Sequence, residues 1–460
     1  MGTRLVPAIG LVLAVTAAAC HRGPQVDNSR YSPAIQRIVS SAPAWIGRDK
    51  LSATLWKAER QFYESRNHLP AWIDVDKASP RLGALLDALQ HSEDHGLDPA
   101  RYGVDRFQQI VAQAEQNEHR IDVERVPDID TRLTYAYLQY AADLLGWSEN
   151  PKAIDPNWIR ADNKADLAGQ LTRAVSSNQL GEALEELAPT HPQYKGLQAA
   201  FARERQNPTG HLDQIRMNLV RWRWMPRELG DRYVFVNVPA YQMQVMEGQK
   251  PVLSMRVIVG DPMHQTPLFS DEMTTIVFSP NWNVPESIIR KEMLPKLVDD
   301  PGFLQRQDIQ VVGTSGAVID AEAVNWFDDS AVARLRFRQE PGPKNALGLV
   351  KFQFPNQFDV YMHDTPQDAL FNKEDRALSH GCIRLENPMA LAEYVMRDNP
   401  QWTTEKITAA MNAGHEQAVA LKKHLPVHIG YFTAWVKPDG SVTYTDDPYD
   451  LDKAQKLPVS

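Results

Sequence analysis

Residues 361 to 385 read YMHDTPQDALFNKEDRALSHGCIRL. A short β-branched and aromatic run, Val360 to His363, ends in an imidazole and gives way to a turn-rich stretch that leads to Ser379-His380-Gly381-Cys382-Ile383-Arg384. A thiol attacks as its thiolate, which a neighbouring imidazole or cation stabilises relative to its usual value of about 8.5. His363 and Arg384 can both serve in that way. Gly381 permits a tight turn that aims backbone N–H groups at a developing oxyanion. On spacing alone, His-x-Cys with an upstream histidine also admits a partial metal site. Against zinc stand the lack of a second cysteine nearby and of an HExxH helix.

Outward from this stretch, the runs Tyr233 to Val238, Tyr241 to Met246 and Val252 to Val259 predict three strands of a meander. Thr275 to Phe278, Val350 to Phe354 and His428 to Val436 predict further strands, and Pro438-Asp439-Gly440 before Val442 to Tyr444 is a hairpin signal. Glu286 to Leu297 predicts a single helix among them. Before residue 210 the apolar spacing is helical, as in Leu82, Leu85, Leu86 and Leu89 or in Leu171, Val175, Leu180 and Leu184. The expected fold is therefore a multidomain α+β chain, a helical unit over 44–210 followed by a mainly β unit over 211–460. An insertion over 301–348 is long enough to be a lid or binding element.

The 460 residues are 43% hydrophobic and 23% charged, ordinary values for a globular protein. A formal net charge of -9 argues against a nucleic-acid partner, which would call for an excess of Lys and Arg. Arg4, the apolar run Leu5 to Val15 and the small residues Thr16 to Ala19 make 1–20 an export signal, too short to span a bilayer. Small residues before Cys20 resemble a lipobox, although Ala17 stands where leucine is usual; the expectations are lipidation at Cys20 or plain cleavage near Ala19. Residues 21–43 read as a linker. Two cysteines in all, Cys20 and Cys382, exclude a disulfide framework.

The motif Ser379-His380-Gly381-Cys382-Ile383-Arg384 with His363 upstream resembles the signature of YkuD-type L,D-transpeptidases. The likeness extends to Gln214 through Trp224, Asn281-Trp282-Asn283-Val284-Pro285, Phe337 through Pro343 and Asp446 through Tyr449, which resemble the large, scaffold-bearing branch of that family. Phe62-Tyr63 through Trp72 and His95 through Tyr102 resemble its helical scaffold. The resemblance implies a YkuD-like β-sandwich or barrel with an inserted substrate cap, Cys382 as nucleophile and His363 as proton donor and acceptor. Ser379, His380, Gly381, Arg384 and Tyr361 would line the site with oxyanion and carboxylate contacts. It implies peptidoglycan stem peptides as partners, a periplasmic location, no cofactor and acylation by carbapenems; the lipobox-like residues before Cys20 would add a lipid anchor to the membrane. The expected reaction forms 3-3 cross-links, with release of D-alanine.

Two departures stand out. No separate glycan-binding module fits between Phe201 and Gln214, and Asp364 follows His363 where many relatives have glycine, which leaves open what orients the imidazole. Of the other candidates, Trp222, Trp224 and Trp282 read as core residues in strand-like or boundary segments. His91, His95, His191 and His211 read as surface or capping residues. Arg334, Arg336 and Arg338 alternate on one strand face, there to hold stem carboxylates or simply solvated. A cysteine peptidase and a non-catalytic wall-binding protein are the alternative functions. The order His363 before Cys382 speaks against the common wall peptidases.

Overall fold

A computed structural model describes residues 27–116, 120–300 and 302–455, so the expected export signal over 1–20 and its Cys20 lie outside the described residues. Its amino-terminal half is a bundle of α1 (Ser32–Ser40), α2 (Lys50–Ser65), α3 (Pro80–Gln90), α4 (Val104–Gln116), α5 (Val126–Leu144), α6 (Leu167–Ser177), α7 (Leu180–Glu185) and α8 (Pro192–Gln206). Proline in the first turn of α3, α5 and α8 and the Asp49 and Asp166 side chains capping α2 and α6 set the starts. α5 is buried almost all round and is the axis of the bundle. Its Asp130 carboxylate accepts from the Ala71 and Trp72 N–H groups, both at 2.8 Å, and from the Tyr63 hydroxyl at 2.7 Å. That ties to α5 the loop bearing the small hairpin of β1 (Ile73–Asp74) and β2 (Lys77–Ala78).

The linker expected over 21–43 is corrected from residue 29 onward. Tyr31, Ile35 and Val39 recur every four residues and bury one stripe of α1 in the helical core. The stripe is too short for periodicity to register among its polar neighbours.

In the second half, β3 (Arg232–Asn237), β4 (Gln242–Glu247) and β5 (Lys250–Gly260) form the antiparallel meander, followed by β6 (Ser270–Phe278). The chain then leaves for a separate sheet of β7 (Trp282–Asn283), β8 (Ile309–Val312), β9 (Val318–Ile319) and β10 (Arg336–Gln339). It returns as β11 (Val350–Gln353), β12 (Met362–His363), β13 (Ala377–Ser379), β14 (Ile383–Leu385) and β15 (Gln417–Gly430). Pairings run β5-β14-β12-β11-β6-β15-β3-β4 and back to β5, which closes a barrel, and β13 adds to the end of β5. Closure leaves the main sheet without a free edge. The protein is thus a multidomain α+β chain, helical scaffold first and mainly β unit second.

The separate sheet is the cap, and it begins earlier than the expected 301–348. It starts at Trp282 and takes in the helical run 286–299, where Ile289–Met293 forms a π turn. Leu297, Leu304, Val311 and Phe337, each 1% exposed, show why: the helix turns its apolar face to the cap sheet and not to the barrel.

The join between halves is also corrected. Residues Leu212–Trp224 form a helix, α9, with Ile215, Leu219 and Trp222 in the helical core and Val220 and Trp224 in the barrel core. Arg221 meets Asp452 at 2.7 Å and Arg223 donates to the His95 carbonyl at 2.9 Å, so the two buried guanidinium groups each find a polar partner outside the helix. The expected strand His428 to Val436 breaks after Gly430, and β16 (Ala434–Val436) pairs with β17 (Val442–Tyr444) against the scaffold. Among the described residues no helix is long and apolar enough to cross a membrane.

Candidate active site

Barrel alternation builds the site. Met362 and Ile383 stand opposite one another on the parallel pair β12–β14, both fully buried in the barrel core. Successive side chains on a strand point to opposite faces. Tyr361, His363, Cys382 and Arg384 therefore share the outer face, where all four line one cavity of about 380 Å³.

The turn before Cys382 is held by Ser379, whose hydroxyl donates to the Cys382 carbonyl at 2.6 Å and accepts from the Gly381 N–H at 3.2 Å. Gly381 has φ +106°, a conformation side-chain-bearing residues avoid. A Cβ there would meet nothing closer than 3.7 Å, so backbone conformation and not space calls for glycine. The Gly381 carbonyl accepts from the Thr266 hydroxyl at 2.8 Å, which pins the turn to the loop after β5.

His363 is 5% exposed, and its Nδ1 lies 2.5 Å from the Asp364 carbonyl. Nδ1–H donating to that carbonyl leaves Nε2 as the basic atom. The Asp364 carboxylate in turn accepts from the Leu349 N–H at 2.8 Å and the Thr365 N–H at 2.7 Å. The residue that replaces glycine is therefore the one that orients the imidazole. Burial, together with the Arg384 and Lys351 cations, pushes His363 down to about 3. Burial also pushes the Cys382 thiol up to about 11, against the opposing pull of Tyr361, Arg384 and Lys351. Thiol and imidazole therefore rest as a neutral pair near neutral pH.

The cap supplies the opposite wall. Glu292 of the π turn reaches His380 Nε2 at 2.5 Å, and the His380 ring packs on His264 with centroids 4.6 Å apart. Arg384 is held by Gln367 at 2.8 Å. Trp282, read as a core residue, lines the cavity instead, along with Lys296 and Phe303. Arg334, Arg336 and Arg338 do not line it, and Arg338 turns to Gln310 and Glu340. Among the described residues no group of His, Cys, Asp and Glu could hold a metal ion.

Residues 57–201 match the family model of a scaffold domain, and residues 231–413 match that of an L,D-transpeptidase catalytic domain, YkuD. The chain carries a YkuD-type L,D-transpeptidase domain. A Haemophilus influenzae protein provisionally named an L,D-transpeptidase is 28% identical over 324 residues. The match covers 68% of this chain and 65% of that protein, just under two thirds of the relative's length. A solved L,D-transpeptidase from Mycobacterium smegmatis is 12% identical over 43% of this chain and 58% of its own, with a TM-score of 0.21. L,D-transpeptidase 3 from Mycobacterium tuberculosis, solved with a faropenem-derived adduct, is 13% identical over 44% and 60%, also at 0.21.

Sequence reasoning missed several residues of this transpeptidase domain's site. Glu292 and Lys296 lie in the predicted helix 286–297, where nothing in the pattern says which face meets the cavity. Lys351 was visible as the polar residue between Val350 and Phe352, but its neighbours depend on strand register. His95, read as surface or capping, is fully buried in the scaffold between Glu185 at 2.7 Å and Tyr194 at 2.8 Å.

Proposed function

We propose that the protein is a peptidoglycan L,D-transpeptidase in which Cys382 is the nucleophile and His363 the proton shuttle. The observation that carries this reading is that Cys382, His363, Tyr361 and Arg384 share one outer face of the barrel and one cavity roofed by the cap. His363 Nε2 takes the proton from Cys382 Sγ, and the sulfur attacks the carbonyl of the third stem residue, meso-diaminopimelate, in a tetrapeptide donor. The Gly381 N–H is engaged by Ser379, which leaves the Cys382 N–H and Arg384 to face the oxyanion. Collapse breaks the peptide bond, and His363 protonates the departing D-alanine amine. The thioester then meets the side-chain amine of a second stem. His363 accepts that amine's proton and returns it to sulfur, and the product is a 3-3 cross-link.

A soft thioester suits an amine acceptor, and a cap that excludes water favours transfer over hydrolysis. Export through the 1–20 signal and a lipid on Cys20 in the periplasm complete the proposal; the mass of the mature amino-terminal peptide tests both. The catalytic test is an acid-quenched reaction with disaccharide tetrapeptide, followed by peptide mapping. An acyl group on Cys382 with release of free D-alanine is expected. Release of D-alanine with tripeptide as the only other product points instead to a carboxypeptidase. An unmodified Cys382 with intact substrate supports a binding protein.

A further inference from the structure

Along β11, Val350 and Phe352 are fully buried in the barrel core, so Lys351 between them belongs to the outer face. The register places Lys351 opposite His363 across β11–β12, and His363 opposite Arg384 across β12–β14. Neighbouring strands lie about 4.8 Å apart, so the three side chains make a row of cation, imidazole and cation beside the thiol. The Lys351 Nζ lies 5.5 Å from the centre of the Tyr361 ring, and Tyr361 faces the Cys382 sulfur with both its side chain and its backbone.

Lys351 is only partly exposed, and none of the side-chain hydrogen bonds or ion pairs among the described residues involves its ammonium. The charged and titratable groups facing it are Glu416 from the segment before β15, His363 of β12 with Tyr361 just before that strand, and Arg384 of β14 with Cys382 just before that strand. The Glu416 carboxylate is already engaged by the Asn281 N–H at 2.8 Å. Its ammonium keeps contact with solvent, and partial burial weakens its hydration enough that a negative charge developing beside it would be attracted across the row.

We infer that Lys351 is a positioning residue for the nucleophile, an ammonium set on the neighbouring strand to hold Cys382 as thiolate when its proton leaves. The role rests on the reading of Cys382 as the nucleophile. It complements Arg384 from the other side of the imidazole. Because both cations flank His363, they also disfavour its protonated form, so the imidazole rests neutral.

The test is the pH profile of Cys382 alkylation by iodoacetamide in the full chain carrying Cys20→Ser, which leaves one thiol. Lys351→Met is expected to move the profile up by about one pH unit and slow alkylation at pH 7 by about tenfold, with Lys351→Arg within about threefold of the parent. Melting curves of the three proteins report on folding. Should Lys351→Met fail to fold, Glu416→Gln probes the same field from the opposite side. Removing the competing anion is expected to speed alkylation about two- to threefold. A Lys351→Met profile superimposed on the parent, or Glu416→Gln without effect when Lys351→Met cannot be measured, overturns the inference. Alkylation needs no stem peptide, so this outcome is separate from the fate of the transpeptidase reading, which fails if Cys382→Ala still forms product.

Discussion

The barrel and the cap face each other across one cavity and are built to different standards. On the barrel side, His363 and Arg384 ride on strands paired along both edges, with Phe352, Met362 and Ile383 fully buried beneath them. On the cap side, Trp282 sits on a two-residue strand and Glu292 in a π turn, over a small core of its own. Reacting atoms need geometry fixed to fractions of an ångström. A roof over a site that, on the proposed function, admits two stem peptides needs low local stability. The difference teaches that precision is concentrated in the strand register and that access is delegated to the insertion.

The widest break in that comparison should come from the two cores. Ile383→Ala is expected to cost about 2–5 kcal/mol and to lower the melting temperature of the whole chain. Phe337→Ala should act locally. Hydrogen exchange is expected to speed up across 282–339 while the β11, β12 and β14 amides keep their protection; uniform loss of protection would show that the cap is part of the barrel's cooperative unit.

Acid should separate the two regions next. Burial pushes His191 and His428 down to about 4, whereas the unfolded chain takes up protons at about 6.5. Their contribution is therefore present above about 6.5 and lost as pH falls toward 4. Between pH 7 and 5.5 the two together should remove about 2 kcal/mol, read as a falling melting temperature. His191 stacks on Trp222 at 4.4 Å and bonds Tyr233 at 3.1 Å, and His428 bonds the Leu229 carbonyl at 2.9 Å, so the loss falls on the junction of scaffold and barrel. Residues 282–345 contain no histidine, and amide protection there, once the intrinsic pH dependence of exchange is divided out, should change little over the same range.

Asp364→Ala removes the acceptor of two backbone N–H groups and frees the peptide that orients His363. It should cost about 1 kcal/mol of stability, with a fall in kcat larger than any change in KM. Equal kcat in the two proteins would mean that the loop holds the imidazole unaided. Glu292→Ala should have the smallest effect, a rise of about two- to fivefold in the ratio of hydrolysed to cross-linked product as the roof loosens, with the thiol's alkylation rate unchanged.

Much of this architecture was legible in the chain. The β-branched alternation of Tyr233 to Val259 and the Pro438-Asp439-Gly440 turn mark their strands because those signals are local. α9 escaped because its arginines interrupt the apolar stripe, and the partners that make their burial tolerable, among them Asp452, Gln455 and the His95 carbonyl, lie far off in sequence. The helix at 286–299 was visible, but its allegiance to the cap was not. The residues of the signature motif could be named in advance. Lys351 and the Asp364 carboxylate could not be given roles, because strand register and loop contacts are long-range facts.

The central claim is that Cys382 transfers a stem peptide from one strand to another. Intact mass spectrometry of products from disaccharide tetrapeptide, wild type beside Cys382→Ala, tests it most directly. The account predicts a dimer lighter than two substrates by one D-alanine, formed by wild type alone. The same dimer from Cys382→Ala at the wild-type rate would contradict it.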